Sequence, residues 1–179
     1  MGGDKIFLTG EVRVGKTTII ERFVSDAGIA PRGFRTVIGR VASDGGADCV
    51  FLVPYGTPPD AYEDYPPVAE RDKRRFRVTP FPQVFDTLGV RVLRESFGAA
   101  FIVMDELGFM ESDALAFRAE VMRHLDGAAP ILGVVKPRRT AFLDEIRAHA
   151  SVEVIEVTEG NRDALPGILA RRFDLGSPT

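Results

Sequence analysis

The chain of 179 residues has one cysteine, Cys49, and two histidines, His124 and His149. A single cysteine excludes an internal disulfide, and no Cys/His cluster has the spacing of a zinc site. These three residues read as structural or surface positions. No apolar run approaches the length that crosses a bilayer. Charge of one sign is scarce too: 23 Lys and Arg stand against 26 Asp and Glu, a net charge of −3. That balance does not indicate a general nucleic-acid-binding surface. Met1-Gly2-Gly3-Asp4 leads straight into an apolar run, leaving no room for a signal peptide, so a reducing cytoplasm is the expected location. Neither repeats nor a dividing linker interrupt the chain. With 45% hydrophobic and 27% charged residues, it suits one domain, 1–179, with a real core.

What is present is a full G-x-x-x-x-G-K-[ST] motif, Gly10-Glu11-Val12-Arg13-Val14-Gly15-Lys16-Thr17. An apolar run, residues 5–9, precedes it and reads as a buried strand. Apolar residues at 19, 20, 23 and 24 follow it with helical spacing. Strand, glycine-bounded loop and helix start form the setting a phosphate-binding loop requires. Backbone N–H groups from Gly10 to Thr18 can face an anion, which the helix dipole favours. Lys16 can reach the β- and γ-phosphates, and Thr17 offers a hydroxyl to Mg²⁺. The alternative is a glycine-containing turn that binds nothing.

A second constellation lies at residues 99–106. The continuous apolar run Ala99 to Met104 reads as a strand buried on both faces. It delivers Asp105 and Glu106 at its C-terminal end, where ligands bind in open α/β sheets. Asp105 is placed to hold the metal opposite Thr17. Glu106 can orient and deprotonate an attacking water. Its plainer reading is a turn cap.

Around these motifs the pattern predicts strands at 34–42 and 48–53, joined as a hairpin through Ser43-Asp44-Gly45-Gly46. Residues 54–68, with five prolines and three tyrosines, read as irregular loop, and 54–77 as a loop or lid insertion. Five basic residues within 70–77 read as a solvated face. Helices are expected at 81–97, at 112–125 with Ser112 as cap, at 140–150 and at 161–173. Strands are expected at 131–135 and 152–157. The alternation after residue 97 means α/β architecture, a doubly wound and mainly parallel sheet with an added antiparallel hairpin.

The ordered segments resemble the THEP1-type nucleoside-triphosphatase family of phosphate-loop NTPases. The matching stretches are Leu8 to Thr18, Gly33-Phe34-Arg35-Thr36, Ile102 to Glu111, Ile131-Leu132-Gly133, and Val157 to Arg162. Asp-Glu-Leu-Gly-Phe-Met-Glu and the Asn161-Arg162 pair are the specific ones. Two departures stand out. Arg13 occupies a loop position where the family usually has Gly. Val37 and Ile38 stand where it usually has acidic residues.

The resemblance implies sheet order 5-1-4-3-2, with residues 131–135 inserted between the loop strand and the Asp strand. It implies hydrolysis of ATP, GTP and other nucleoside triphosphates to diphosphates, with Mg²⁺ as cofactor. In that order the strand at 152–157 flanks the loop strand on the side away from the metal. Asn161 and Arg162 are then expected beside the nucleotide base, Asn161 by hydrogen bonding and Arg162 by stacking. Helix capping is the plainer role for Asn161. Lys136, Arg138 and Arg139 follow the inserted strand and are candidates for charge stabilisation at the γ-phosphate, with Arg123 and Arg13 behind them. Three readings remain: a nucleoside-triphosphatase, a small-molecule or nucleotide kinase, and a nucleotide-dependent binding module. Glu106 favours water as acceptor.

Overall fold

Strand β1 (Lys5–Thr9) and strand β6 (Ile102–Leu107) both lie inside the sheet, paired on each side, and their alternation divides the core. Successive side chains of a strand point to opposite faces. Ile6 and Leu8 therefore enter one layer with Val103, Leu132 and Val134, while Phe7 enters the other with Ile102 and Met104. The structure, a computed structural model, describes residues 4–40 and 48–174. The expected turn at Ser43-Asp44-Gly45-Gly46 lies outside the described residues.

The other strands are β2 (Arg32–Arg40), β3 (Asp48–Pro54), β4 (Pro67–Asp72), β5 (Arg77–Pro80), β7 (Ile131–Val135) and β8 (Val152–Glu156). They form one eight-stranded sheet in the order β5-β4-β3-β2-β6-β7-β1-β8. The β2-β6-β7-β1-β8 part is parallel throughout and is the 5-1-4-3-2 order read in reverse. The β2–β3 hairpin pairs antiparallel, Ile38 opposite Val50.

Helices α1 (Lys16–Ala27) and α6 (Leu165–Arg172) cover one face. Ile19, Ile20 and Phe23 of α1 pack there with Leu165 and Leu169 of α6. The other face carries α2 (Pro82–Val84), α3 (Val90–Glu95), α4 (Leu115–Asp126) and α5 (Ala141–Ala148). Phe117 of α4 meets Phe34 and Phe85 there, with ring centroids 5.6 and 5.4 Å apart. Truncating such a buried ring to Ala costs about 3–5 kcal/mol. Thr140 caps α5 by accepting from the Leu143 N–H at 3.2 Å.

Four sequence expectations are corrected. Residues 54–77 are an irregular loop only in part: 55–66 hold no strand and one 3₁₀ turn at Tyr62–Asp64, but β4 and β5 then extend the sheet by two antiparallel strands. The basic run at 70–77 is the tip of that hairpin. Its turn forms because Asp72 accepts from the N–H groups of Arg74 and Arg75 at 2.9 and 3.0 Å, an Asx arrangement. The helical stretch at 81–97 is interrupted by a π-turn, Phe85–Gly89. Ser112 does not cap α4, whose end instead receives Asp86 from that π-turn, accepting from the Phe117 N–H at 2.9 Å. Finally, Asn161 lies in a turn before α6 rather than inside a helix.

Gly33, inside the stretch shared with the resembled family, shows why a strand carries glycine here. Its φ is +113°, and a Cβ would lie 1.9 Å from the Val103 carbonyl oxygen. No side chain fits where β2 approaches β6 so closely.

Candidate active site

The phosphate-binding loop joins the C-terminal end of β1 to the start of α1. Gly10 has φ +131°, and a Cβ there would meet the Val157 carbonyl oxygen at 2.6 Å, so the turn accepts only glycine. Gly15 is the left-handed residue at the helix start. Arg13 also has positive φ, +66°, at the position where the sequence departs from the resembled family. Arg13 thus adopts a left-handed backbone that glycine takes without strain. Lys16 is 9% exposed, and its Nζ donates to the carbonyls of Gly10 and Glu11 at 2.9 and 2.6 Å. Burial pushes its ammonium down from the usual lysine value, while Glu106 and Asp105 pull it back up.

Asp105 and Glu106 leave β6 where its register with β7 shifts, between Met104 and Leu107. The peptide joining them is cis. Asp105 is buried, and burial pushes its carboxyl up to about 6 despite a hydrogen bond from Thr17 and the nearby Lys16 charge. A carboxylate held out of water beside a hydroxyl suits a hard cation, which supplies the charge that water no longer does. Mg²⁺ needs only one or two protein oxygens because phosphates and waters complete its shell. Thr17 and Asp105 are the residues that could supply that set. Glu106 pairs with Lys136 from the turn after β7, Nζ to Oε1 2.7 Å.

The turn after β6 is pinned from inside. Glu111 is fully buried, and its Oε2 accepts from the Gly108 N–H at 2.9 Å. Among the described residues its Oε1 has no hydrogen-bond partner. Burial pushes the carboxyl up to about 7. The turn after β7 is held by Arg147 of α5, which donates to the Lys136 and Arg138 carbonyls.

These parts meet in one cleft of about 710 Å³. It is lined by loop residues, Asp105, Glu106, Lys136 and Arg138, and also by Thr36, Ile38, Val50, Arg71 and Val78 from β2 to β5. Among the basic candidates, Lys136, Arg138 and Arg13 are in the cleft. Arg139 turns away to Asp144 at 2.7 Å. Arg123 binds Glu120 and sits over the Phe97 ring, on α4. Arg162 lines a separate pocket of about 300 Å³ with Val14, Gly15 and Thr18, on the β8 side of the loop. Asn161 spends its amide on the backbone, accepting from the Thr158 N–H and donating to the Glu156 carbonyl, both at 2.8 Å.

Residues 5–170 match the family described as NTPase. The chain belongs to the NTPase family. It is 30% identical to nucleoside-triphosphatase THEP1 of Natranaerobius thermophilus over 97% of this chain and 98% of that one. A cancer-related nucleoside-triphosphatase of Homo sapiens is 31% identical over 89% of this chain and 91% of its own. In structure, this NTPase resembles THEP1 from the hyperthermophile Aquifex aeolicus, with TM-score 0.68, 22% identity and coverage of 92% and 96%. The solution structure of a human cancer-related nucleoside triphosphatase gives TM-score 0.64 at 26% identity, covering 94% and 96%. The NTPase is thus an enzyme of nucleoside triphosphate hydrolysis.

Sequence reasoning about this NTPase missed Glu111 as a buried support, although it ends the Asp-Glu-Leu-Gly-Phe-Met-Glu stretch. It also missed the cleft wall from β2 to β5. No local pattern announces that wall, because it exists only once β4 and β5 join the sheet.

Proposed function

We propose that the protein hydrolyses Mg²⁺-bound nucleoside triphosphates to diphosphate and phosphate, in the cleft between the phosphate-binding loop and Glu106. The observation that carries this is the convergence of Thr17, Asp105, Lys16 and Glu106 at one cleft wall. Backbone N–H groups from Gly10 to Thr18 cradle the phosphates. Lys16 exchanges its Gly10 and Glu11 carbonyls for phosphate oxygens. Thr17 and Asp105 hold the metal, which when bound neutralises charge developing on the phosphates. Glu106 orients the attacking water and accepts its proton. Lys136 fixes the Glu106 carboxylate and faces the same space, and Arg138 adds positive charge from the same turn.

On this reading the base and ribose take the pocket beside Arg162, whose guanidinium can stack on any base. Asn161 supports that turn rather than reading the base, because its oxygen and one amide hydrogen already serve the backbone. A lone buried cysteine supports a reducing, cytoplasmic setting. Among the described residues no helix is long and apolar enough to cross a membrane.

Phosphate release from ATP and GTP, with Mg²⁺ and with excess EDTA, tests the reading. Release with Mg²⁺ that stops on chelation is expected. Equal release under chelation would remove Thr17 and Asp105 from the metal role.

A further inference from the structure

The cleft is larger than a triphosphate tail requires. Its inner half is the loop with Lys16, Thr17, Asp105 and Glu106. Its outer half is walled by Ile38, Val50, Arg71, Val78, Phe109 and Met110. Ile38 pairs with Val50 across β2–β3, and Arg71 with Val78 across β4–β5. Val50 also pairs with Ala69, two residues from Arg71. Residues directly opposite in a ladder share a face, as do residues two apart in a strand. The four side chains therefore form one row across four strands.

Three features mark this row as a surface made for a ligand. Ile38 is 63% exposed, yet it stands in a cavity wall, where uncovered apolar area signals an occupant. The Arg71 side chain has no ion pair or hydrogen bond among the described residues. The Arg138 guanidinium lies 4.5 Å over the Phe109 ring, leaving a second cation at the rim without a carboxylate. An apolar floor edged by the Arg71 guanidinium, which the triphosphate reading leaves unused, suits a flat ring that carries a negative charge. The ring covers Ile38, Val50 and Val78, and the anion meets a guanidinium fork.

The nucleotide base is not this occupant. In the proposed function the base takes the pocket beside Arg162 on the β8 side of the loop, whereas the outer cleft lies over β2 to β5, beyond β6 and β7 in the sheet.

We propose that the outer half of the cleft is a second ligand site, which takes a flat aromatic anion and seats it beside Glu106, in the space the attacking water needs. The inference rests on the inner half being the triphosphate site.

The probe is 8-anilino-1-naphthalenesulfonate, a flat aromatic sulfonate, added to protein saturated with MgADP. One saturable site is expected, weakened at least about tenfold, or ~1.4 kcal/mol, by Ile38→Asp and by Arg71→Ala. Leu115→Ser, at an exposed apolar position on α4 outside the cleft, should leave it unchanged. Both cleft variants alter surface side chains and should keep the parental Tm. Saturating probe should lower phosphate release from MgATP while KM for MgATP stays constant. Loss of probe binding with MgADP present, or binding indifferent to both cleft variants, would overturn the second site. Undiminished phosphate release with probe bound would overturn its placement beside Glu106. MgADP affinity is read in the same samples: its loss in Lys16→Ala reports on the loop, and its retention in Ile38→Asp separates the two assignments.

Discussion

Lys136 grips Glu106 across the cleft, Nζ to Oε1 at 2.7 Å, with both side chains about one-third or less exposed. The carboxylate that would receive water's proton is thereby held at one point by a residue of the neighbouring strand's turn. Glu106→Gln keeps the shape and removes the base. MgATP should bind as in the parent, and turnover should fall at least ~10²-fold. Parental turnover would move the base elsewhere.

Lys136→Ala should also slow turnover, with MgADP affinity retained, because in the proposed site it holds Glu106 and faces the γ-phosphate, which the product lacks. Arg138→Ala should do so to a lesser extent. Arg139→Ala should behave as the parent, since Arg139 faces Asp144. Single-turnover rates for the three variants decide the order, and a deficit confined to Arg139→Ala would contradict it.

Arg162→Ala should raise KM for ATP and GTP by similar factors and leave kcat nearly unchanged, because stacking is felt equally in ground and transition states. A fall in thermal stability with KM intact would make Arg162 a structural residue.

Glu111 should make the folding stability depend on pH. Its carboxyl is raised from 4.5 to about 7 in the folded protein, so between those values the folded state holds the proton and the unfolded chain does not. Stability from this group is then lost as pH rises from about 4.5 to 7 and is flat above. A shift of this size is on the order of 3 kcal/mol for so buried a group. Asp105 changes in the same direction, so the measurement is a difference between proteins. In urea unfolding at pH 5 and pH 8, Glu111→Gln should lose less stability over the interval than the parent. An equal loss in both would show that Glu111 does not carry the change.

Asp86→Ala should cost about 1 kcal/mol, the usual worth of an N-terminal cap, although Asp86 lies 31 residues from the N–H it serves. Ser112→Ala should cost less, because the Ser112 hydroxyl donates to the Phe109 carbonyl and not to the helix end. The opposite ranking in thermal unfolding would restore the local cap.

The parallel half of the molecule was legible because each of its parts is local. The loop motif lies between one strand and one helix, and Asp105 ends an apolar run that only a doubly covered strand tolerates. The antiparallel half was not. Pro54 to Pro67 hides the entry to β4, and the alternating charges of 70–77 look solvated until Asp72 is seen closing a turn. Lys73 reaches across to Asp48 on β3, a pairing that no spacing announces. Cap and support residues failed in the same way: Ser112 had the right type at the right place, yet Asp86 arrives from another helix. Asn161 matched a family pattern, but the pattern carries its backbone role as readily as a ligand role.

β5 is four residues long and pairs only with β4, at the margin of the sheet, while β1 and β6 lie inside it. Opening free energies are lowest where backbone pairs are few and one-sided. Amide hydrogens of β5 should therefore exchange with solvent long before those of β1 or β6. The end of the cleft that carries Val78 then stands on an edge strand that should open readily, and the end that carries Lys16 and Asp105 on strands paired on both sides. Occupation of the outer end would register first as slowed deuterium uptake at the margin, with the centre already protected.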